Sequence, residues 1–106
     1  MTKYHAKRTQ TPDGIWHDSK KEANRWMELL YLEKAGSISH LRRQVPFELI
    51  PKQEGERAVI YRADFVYWNN ITNEMVVEDC KGVRTDVYKL KRKLCKWILG
   101  ITIYET

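Results

Sequence analysis

Two apolar segments joined by a short polar turn constrain this 106-residue chain more than any other feature. Tyr61-Arg62-Ala63-Asp64-Phe65-Val66-Tyr67-Trp68 and Met75-Val76-Val77-Glu78-Asp79-Cys80-Lys81 read as neighbouring strands. Asn69-Asn70-Ile71-Thr72-Asn73-Glu74 between them is turn-rich. A hairpin symmetric about that loop sets Trp68 opposite Met75, and counting back sets Asp64 opposite Asp79. Carboxylates directly across a strand pair stand about 5 Å apart and repel each other. A cation between them removes the conflict. Lys81 follows Asp79 by two residues, so alternation puts it on the same face, roughly 7 Å along. Two acids and a lysine on one face make a candidate hydrolytic metal site.

A bland reading competes with this one. Acids and lysines are common at strand ends, and an exposed Asp79–Lys81 pair is worth under ~1 kcal/mol. A D…DxK pattern alone is weak. The hairpin register and the interruption of apolar segments by charge add specificity. Glu78 competes with Asp79, but alternation turns it away from Lys81, so Asp79 is assigned; a bulge would reverse that choice.

Composition narrows the partner. Lys and Arg exceed Asp and Glu by 19 to 14, a net charge of +5, which favours a polyanion such as nucleic acid. The chain is long enough for one domain and not comfortably two. The two cysteines, Cys80 and Cys95, lack metal-type spacing, so zinc is not expected and a reducing compartment is. No apolar run approaches the ~18 residues of a membrane span. The N-terminus lacks the apolar stretch of a signal peptide, so a cytoplasmic location is expected.

Residues 1–14 read as a basic arm ending in the turn Pro12-Asp13-Gly14. Ile15-Trp16-His17 is a short strand or a lead-in. Ser19-Lys20-Lys21-Glu22 is a capping box that opens a helix from about Lys20 to Ala35, with Gly36 as its stop. Ile38 to Arg43 reads as a connector. Val45, Phe47 and Leu49 alternate with polar positions, and Pro46 argues for an edge strand. Gly82 ends the hairpin. Thr85 or Asp86 caps a second helix reaching about Leu99, with Val87, Leu90, Leu94, Trp97 and Ile98 as its apolar stripe and a basic opposite face. Ile101 to Tyr104 reads as a last strand. The order is helix, three strands, helix, strand: α/β with a mixed sheet.

Phosphodiester hydrolysis needs an activated water and neutralised phosphate charge. Mg²⁺ takes oxygen ligands, often one or two carboxylates plus waters and substrate phosphate. Asp64, Asp79 and the Cys80 carbonyl can supply the protein ligands, and Lys81 can position water or offset phosphate charge. Glu22 is the candidate third acid, although its place in the capping box, at the positive helix N-terminus, is the stronger explanation of it. The basic face of the second helix is a solvated face by default and a phosphate-tracking surface otherwise. Lys91 lies at the margin of the apolar stripe. The tryptophans are mostly core candidates, and His5, His17 and His40 show no ligand spacing.

At these residues the chain resembles the PD-(D/E)XK (restriction-endonuclease-like) nuclease superfamily. More closely, it is similar to a family of small phage and prophage proteins catalogued as a domain of unknown function. The matching stretches are Asp18-Ser19-Lys20-Lys21-Glu22-Ala23, Ala63-Asp64-Phe65-Val66-Tyr67, Val77-Glu78-Asp79-Cys80-Lys81-Gly82 and Val87-Tyr88-Lys89-Leu90-Lys91. They span about residues 3–104. The resemblance implies a single domain over 1–106 with an αβββαβ core and a Mg²⁺ or Mn²⁺ site. Glu22, Asp64, Asp79 and Lys81 become the catalytic set, with Glu22, Asp64, Asp79 and Cys80 on the metal. Gln44 matches a family position and is grouped with Arg84, Lys89, Lys91, Arg92 and Lys93 as DNA contacts. Ala63 stands where the superfamily name has proline, a frequent departure.

The resemblance implies a Mg-dependent endodeoxyribonuclease that selects branched DNA, in the manner of a Holliday-junction resolvase, in the host cytoplasm if phage-encoded. It also implies a homodimer, for which exposed aromatics near Tyr61, Tyr67 and Trp68 are candidates. The alternative is a non-catalytic DNA-binding or assembly module on a nuclease fold.

Overall fold

The computed structural model describes residues 7–81 and 83–106. The described part of the expected basic arm is not free chain. Strand β1 (Thr9–Gln10) pairs antiparallel with β2 (Trp16–His17) around the Pro12-Asp13-Gly14 turn. Gly14 there has a φ of 88°, a conformation that costs an L side chain. Asp13 ties the hairpin down, accepting a 2.7 Å hydrogen bond from the Trp26 indole. Residues 1–6, including His5, and Gly82 at the expected end of the main hairpin lie outside the described residues.

Helix α1 (Lys20–Lys34) begins at Ser19, whose hydroxyl accepts the Glu22 N–H at 3.0 Å. The return leg of the capping box lands one residue early: Glu22 Oε2 accepts from the Asp18 N–H rather than that of Ser19. Ala23, Trp26 and Leu29 recur at helical spacing and are buried.

Strand β3 runs from Ile38 to Ile50, so the expected connector at 38–43 is strand. The polar run Ser39-His40-Leu41-Arg42-Arg43 hid it, because β3 is an edge strand and one side of it meets solvent. Pro46 is tolerated there for the same reason. β4 (Val59–Asn69) and β5 (Glu74–Asp79) form the predicted hairpin, with Trp68 opposite Met75 and Phe65 opposite Glu78. Helix α2 (Asp86–Leu99) is capped by Thr85 and closed by Gly100 in the left-handed conformation. Strand β6 (Ile103–Glu105) is shorter than expected and pairs parallel with β5. The sheet order is β3-β4-β5-β6, antiparallel except for the last pair. The result is a small single-domain α/β protein with a mixed sheet.

The two helices lie on opposite faces. Trp26 and Leu29 of α1 pack with Ile38, Phe65 and Tyr67, whereas Tyr88 and Cys95 of α2 pack with Leu49, Tyr61, Ala63, Val66 and Val77. Strict alternation cannot put both Ala63 and Val66 under α2. The β3–β4 ladder runs from Arg43↔Phe65 to Val45↔Ala63 and omits Gln44 and Asp64 between them. Gln44 has a φ of 55°. Both strands therefore change face at Gln44 and Asp64.

Two expectations about exposed and buried surface are corrected. Tyr61 and Tyr67 are buried, so of the three aromatics considered for a dimer contact only Trp68 is exposed. The stripe expected to seat α2 mostly faces outward, with Val87 64%, Leu90 56% and Trp97 83% exposed. Only Leu94 of that stripe joins the core margin. Tyr88 and Cys95, a polar-tipped aromatic and a thiol, occupy the buried face, so counting aliphatic positions misjudged the rotation of the helix.

Candidate active site

The site gathers where the two strands change face. The β4–β5 ladder ends at Phe65↔Glu78, one pair short of the expected Asp64–Asp79 partnership. Asp79 pairs instead with Glu105 on β6. The Cys80 N–H, free of the ladder, donates to Asp64 Oδ2 at 2.7 Å. The two acids thus interact through a strand end and not as a cross-strand pair.

Glu22, from the first turn of α1, is buried beside Asp64. The Gln44 side-chain amide joins it to Asp64, donating to Glu22 Oε1 at 3.3 Å and more weakly to Asp64 Oδ1 at 3.5 Å. The left-handed backbone at Gln44 puts one amide within reach of both acids.

Asp79 lies almost wholly inside. Its Oδ2 accepts from the Tyr61 hydroxyl at 2.6 Å. Its Oδ1 is 3.1 Å from Lys81 Nζ, an ionic contact, yet this buried oxygen receives no directed hydrogen bond. The Lys81 ammonium also sits 4.4 Å from the centre of the Tyr88 ring, a favourable cation–π placement.

Burial and the neighbouring Asp64 charge push the Asp79 carboxyl up to about 6, against the pull of Tyr61 and Lys81. Asp64 is also raised, first by burial and then by Glu22, against the Cys80 N–H. Burial raises Tyr61 as well, and its bond to Asp79 adds to that, so its hydroxyl stays a donor. When ionised, the three acids carry more negative charge than Lys81 offsets. That excess suits a cation with oxygen ligands. Among the described residues, no three His, Cys, Asp or Glu side chains form a ready-made metal cluster. A Mg²⁺ site of two carboxylates and a carbonyl needs no such trio.

A cleft of ≈ 400 Å³ opens beside Lys81, lined by Tyr61, Arg62, Tyr88 and Lys91 among others. Of the basic residues grouped as DNA contacts, Lys91 alone lines it. Lys89, Arg92 and Lys93 line a groove on the other flank of α2. Arg84 and Arg92 are each paired at 2.9 Å with Glu105. The sequence could not divide them, because the rotation of α2 decides which flank each occupies.

His17 was missed. It is buried, bonded through Nε2 to Thr11 Oγ1 at 3.2 Å, and its Nδ1 is 3.8 Å from Glu22 Oε2. Its position two residues before Ser19 of the capping box was the available signal. Glu78, set aside by alternation, is buried on the other face, where Arg25 binds it at two points, 2.8 and 2.7 Å, and Tyr67 donates to it.

Among the described residues, no helix is long and apolar enough to cross a membrane. A family model described as "Protein of unknown function (DUF1064)" matches residues 1–99, and the chain belongs to that family. No curated protein and no solved structure matches it.

Proposed function

We propose that this member of the DUF1064 family is a metal-dependent endodeoxyribonuclease with a PD-(D/E)XK-like core. The observation that carries this reading is the pair Asp64 and Asp79 brought together at the end of β5, with Lys81 3.1 Å from Asp79 and lining an open cleft.

Asp64, Asp79 and the Cys80 carbonyl would hold Mg²⁺ or Mn²⁺, and Glu22 stands next to Asp64 as a further acid. The bound ion supplies Lewis acidity and a more acidic water. The chain's own groups do the rest. Tyr61 holds Asp79 Oδ2, and Oδ1 has only the Lys81 ammonium beside it. The Cys80 N–H fixes Asp64 through Oδ2. Gln44 keeps Glu22 and Asp64 together in spite of their charges. The Lys81 ammonium orients water or offsets charge developing on the phosphate. Arg62 and Lys91 on the cleft wall follow the DNA backbone. The proposed substrate is branched DNA, as for a phage junction resolvase.

The alternative is a non-catalytic DNA-binding or assembly module on the same fold. Cleavage of labelled linear duplex, flap and four-way-junction DNA with Mg²⁺ decides between them. The nuclease reading expects cutting that Asp79→Ala abolishes. Intact binding with no cutting of any substrate would support the module.

A further inference from the structure

Helix α2 carries a second surface that the proposed active site does not use. Its flank toward β6 forms an open groove of ≈ 1020 Å³ lined by Lys89, Arg92, Lys93, Lys96 and Trp97, with Ile101 and Ile103 among the rest. Trp97 is 83% exposed, the most exposed of the large apolar side chains among the described residues. Leaving so large a ring in water forfeits burial that an aromatic ordinarily provides.

The charges around it are not balanced. Glu105 accounts for Arg92. Lys96 donates to the neutral Thr102 hydroxyl at 3.1 Å. Among the described residues, no carboxylate lies within ion-pair distance of Lys89, Lys93 or Lys96. A second copy of the chain docked symmetrically on this flank would bring these lysines together. A polyanion meets no such penalty.

We propose that the α2–β6 groove binds an unpaired DNA strand, with Trp97 stacking on a base and Lys89, Lys93 and Lys96 following the phosphates. Exposed aromatics in cationic grooves hold single strands in this way without reading sequence, because every base presents a π-face. The proposal rests on DNA being the ligand of this protein but not on cleavage. It fits branched substrates, whose arms expose unpaired nucleotides near the junction. On this reading the Lys81 flank of α2 meets the strand to be cut and the Trp97 flank holds a displaced one.

The test is binding of a fluorescein-labelled oligo-dT of about 12 nucleotides, in EDTA, followed by anisotropy. Wild type, Trp97→Ala, Trp97→Phe and Lys93→Glu/Lys96→Glu are compared. Trp97→Ala should weaken binding about tenfold, with Trp97→Phe restoring most of it. The double charge reversal should weaken it further and flatten its salt dependence. Since Trp97 faces solvent, Trp97→Ala should fold normally. Unchanged affinity in Trp97→Ala overturns the proposal, as does absence of oligo-dT binding by wild type. So does a change in the sedimentation of Trp97→Ala with DNA affinity intact, which would assign the surface to a second copy. Failure of cleavage in the Asp79→Ala comparison is read separately and leaves this result standing.

Discussion

Glu78 and Asp79 are adjacent in sequence and both buried, yet they face opposite sides of the sheet and are compensated differently. Glu78 accepts two N–H groups from the Arg25 guanidinium and the Tyr67 hydroxyl. Asp79 has one hydroxyl on Oδ2 and a single, partly exposed ammonium beside Oδ1. A fully compensated carboxylate locks β5 to α1. A partly compensated one retains capacity for another ligand. The pair separates a residue that holds the fold from one proposed to act.

Arg25→Ala should therefore destabilise the protein strongly, because it strands a buried Glu78 charge. The expected loss is about 3–5 kcal/mol, read from urea unfolding. Arg25→Ala/Glu78→Gln should recover part of it by removing the orphaned charge. A single-mutant loss below about 1 kcal/mol would place Arg25–Glu78 among solvent-screened pairs.

Gln44→Gly separates strain from function at one position. Glycine suits a φ of 55°, so relief of about 1–3 kcal/mol should offset the lost amide hydrogen bonds, about 1 kcal/mol each. Stability should stay near wild type while DNA cleavage falls at least about tenfold. Normal cleavage by a stable Gln44→Gly protein would remove Gln44 from the site.

The same position explains what the sequence could and could not reveal. The Trp68–Met75 register, both helix starts and the division of Glu78 from Asp79 follow from local rules of alternation, turn chemistry and capping. The switch of faces at Gln44 and Asp64 does not, since a positive φ at a glutamine has no sequence signature. It cost the expected Asp64–Asp79 pairing and left Gln44 with no stated geometric role. The outward turn of Val87, Leu90 and Trp97 was hidden for another reason. Tyr88 and Cys95 form the true buried face, and neither stands out in an aliphatic count. His17 reaches Glu22 only because the β1–β2 hairpin docks on α1, a tertiary event.

Lys81→Gln tests the ammonium without emptying the site. The Lys81 side chain is partly exposed, so folding should tolerate the change. Cleavage should fall by about 10²-fold or more, the scale for loss of one group stabilising developing charge. DNA affinity should change only a few-fold, because Arg62 and Lys91 remain on the cleft wall. Equal losses in binding and cleavage would reduce Lys81 to a phosphate contact.

The raised acids give stability a definite dependence on pH and metal. The Asp79 carboxyl is lifted from 3.8 to about 6, and Asp64 is lifted as well. Because these groups hold protons more tightly in the folded chain than in the unfolded one, they favour folding fully below the unfolded value. That contribution is lost as pH rises through the folded value. Without metal, their effect is a protein less stable at about pH 8 than at about pH 5. Glu105 and Asp13 are lowered, Glu105 chiefly by the Tyr88 hydroxyl and Asp13 by Thr11, so their contribution is lost only in more acid solution. A divalent cation binds the ionised acids, so Mg²⁺ should raise the melting temperature more at the higher pH than at the lower. Asp79→Asn should flatten the pH slope and remove most of the Mg²⁺ effect. Melting curves of both proteins in EDTA and in Mg²⁺ read all four quantities. A wild-type melting temperature indifferent to Mg²⁺ at the higher pH would mean that the acids are neutralised within the protein, and the metal site would fall with that result.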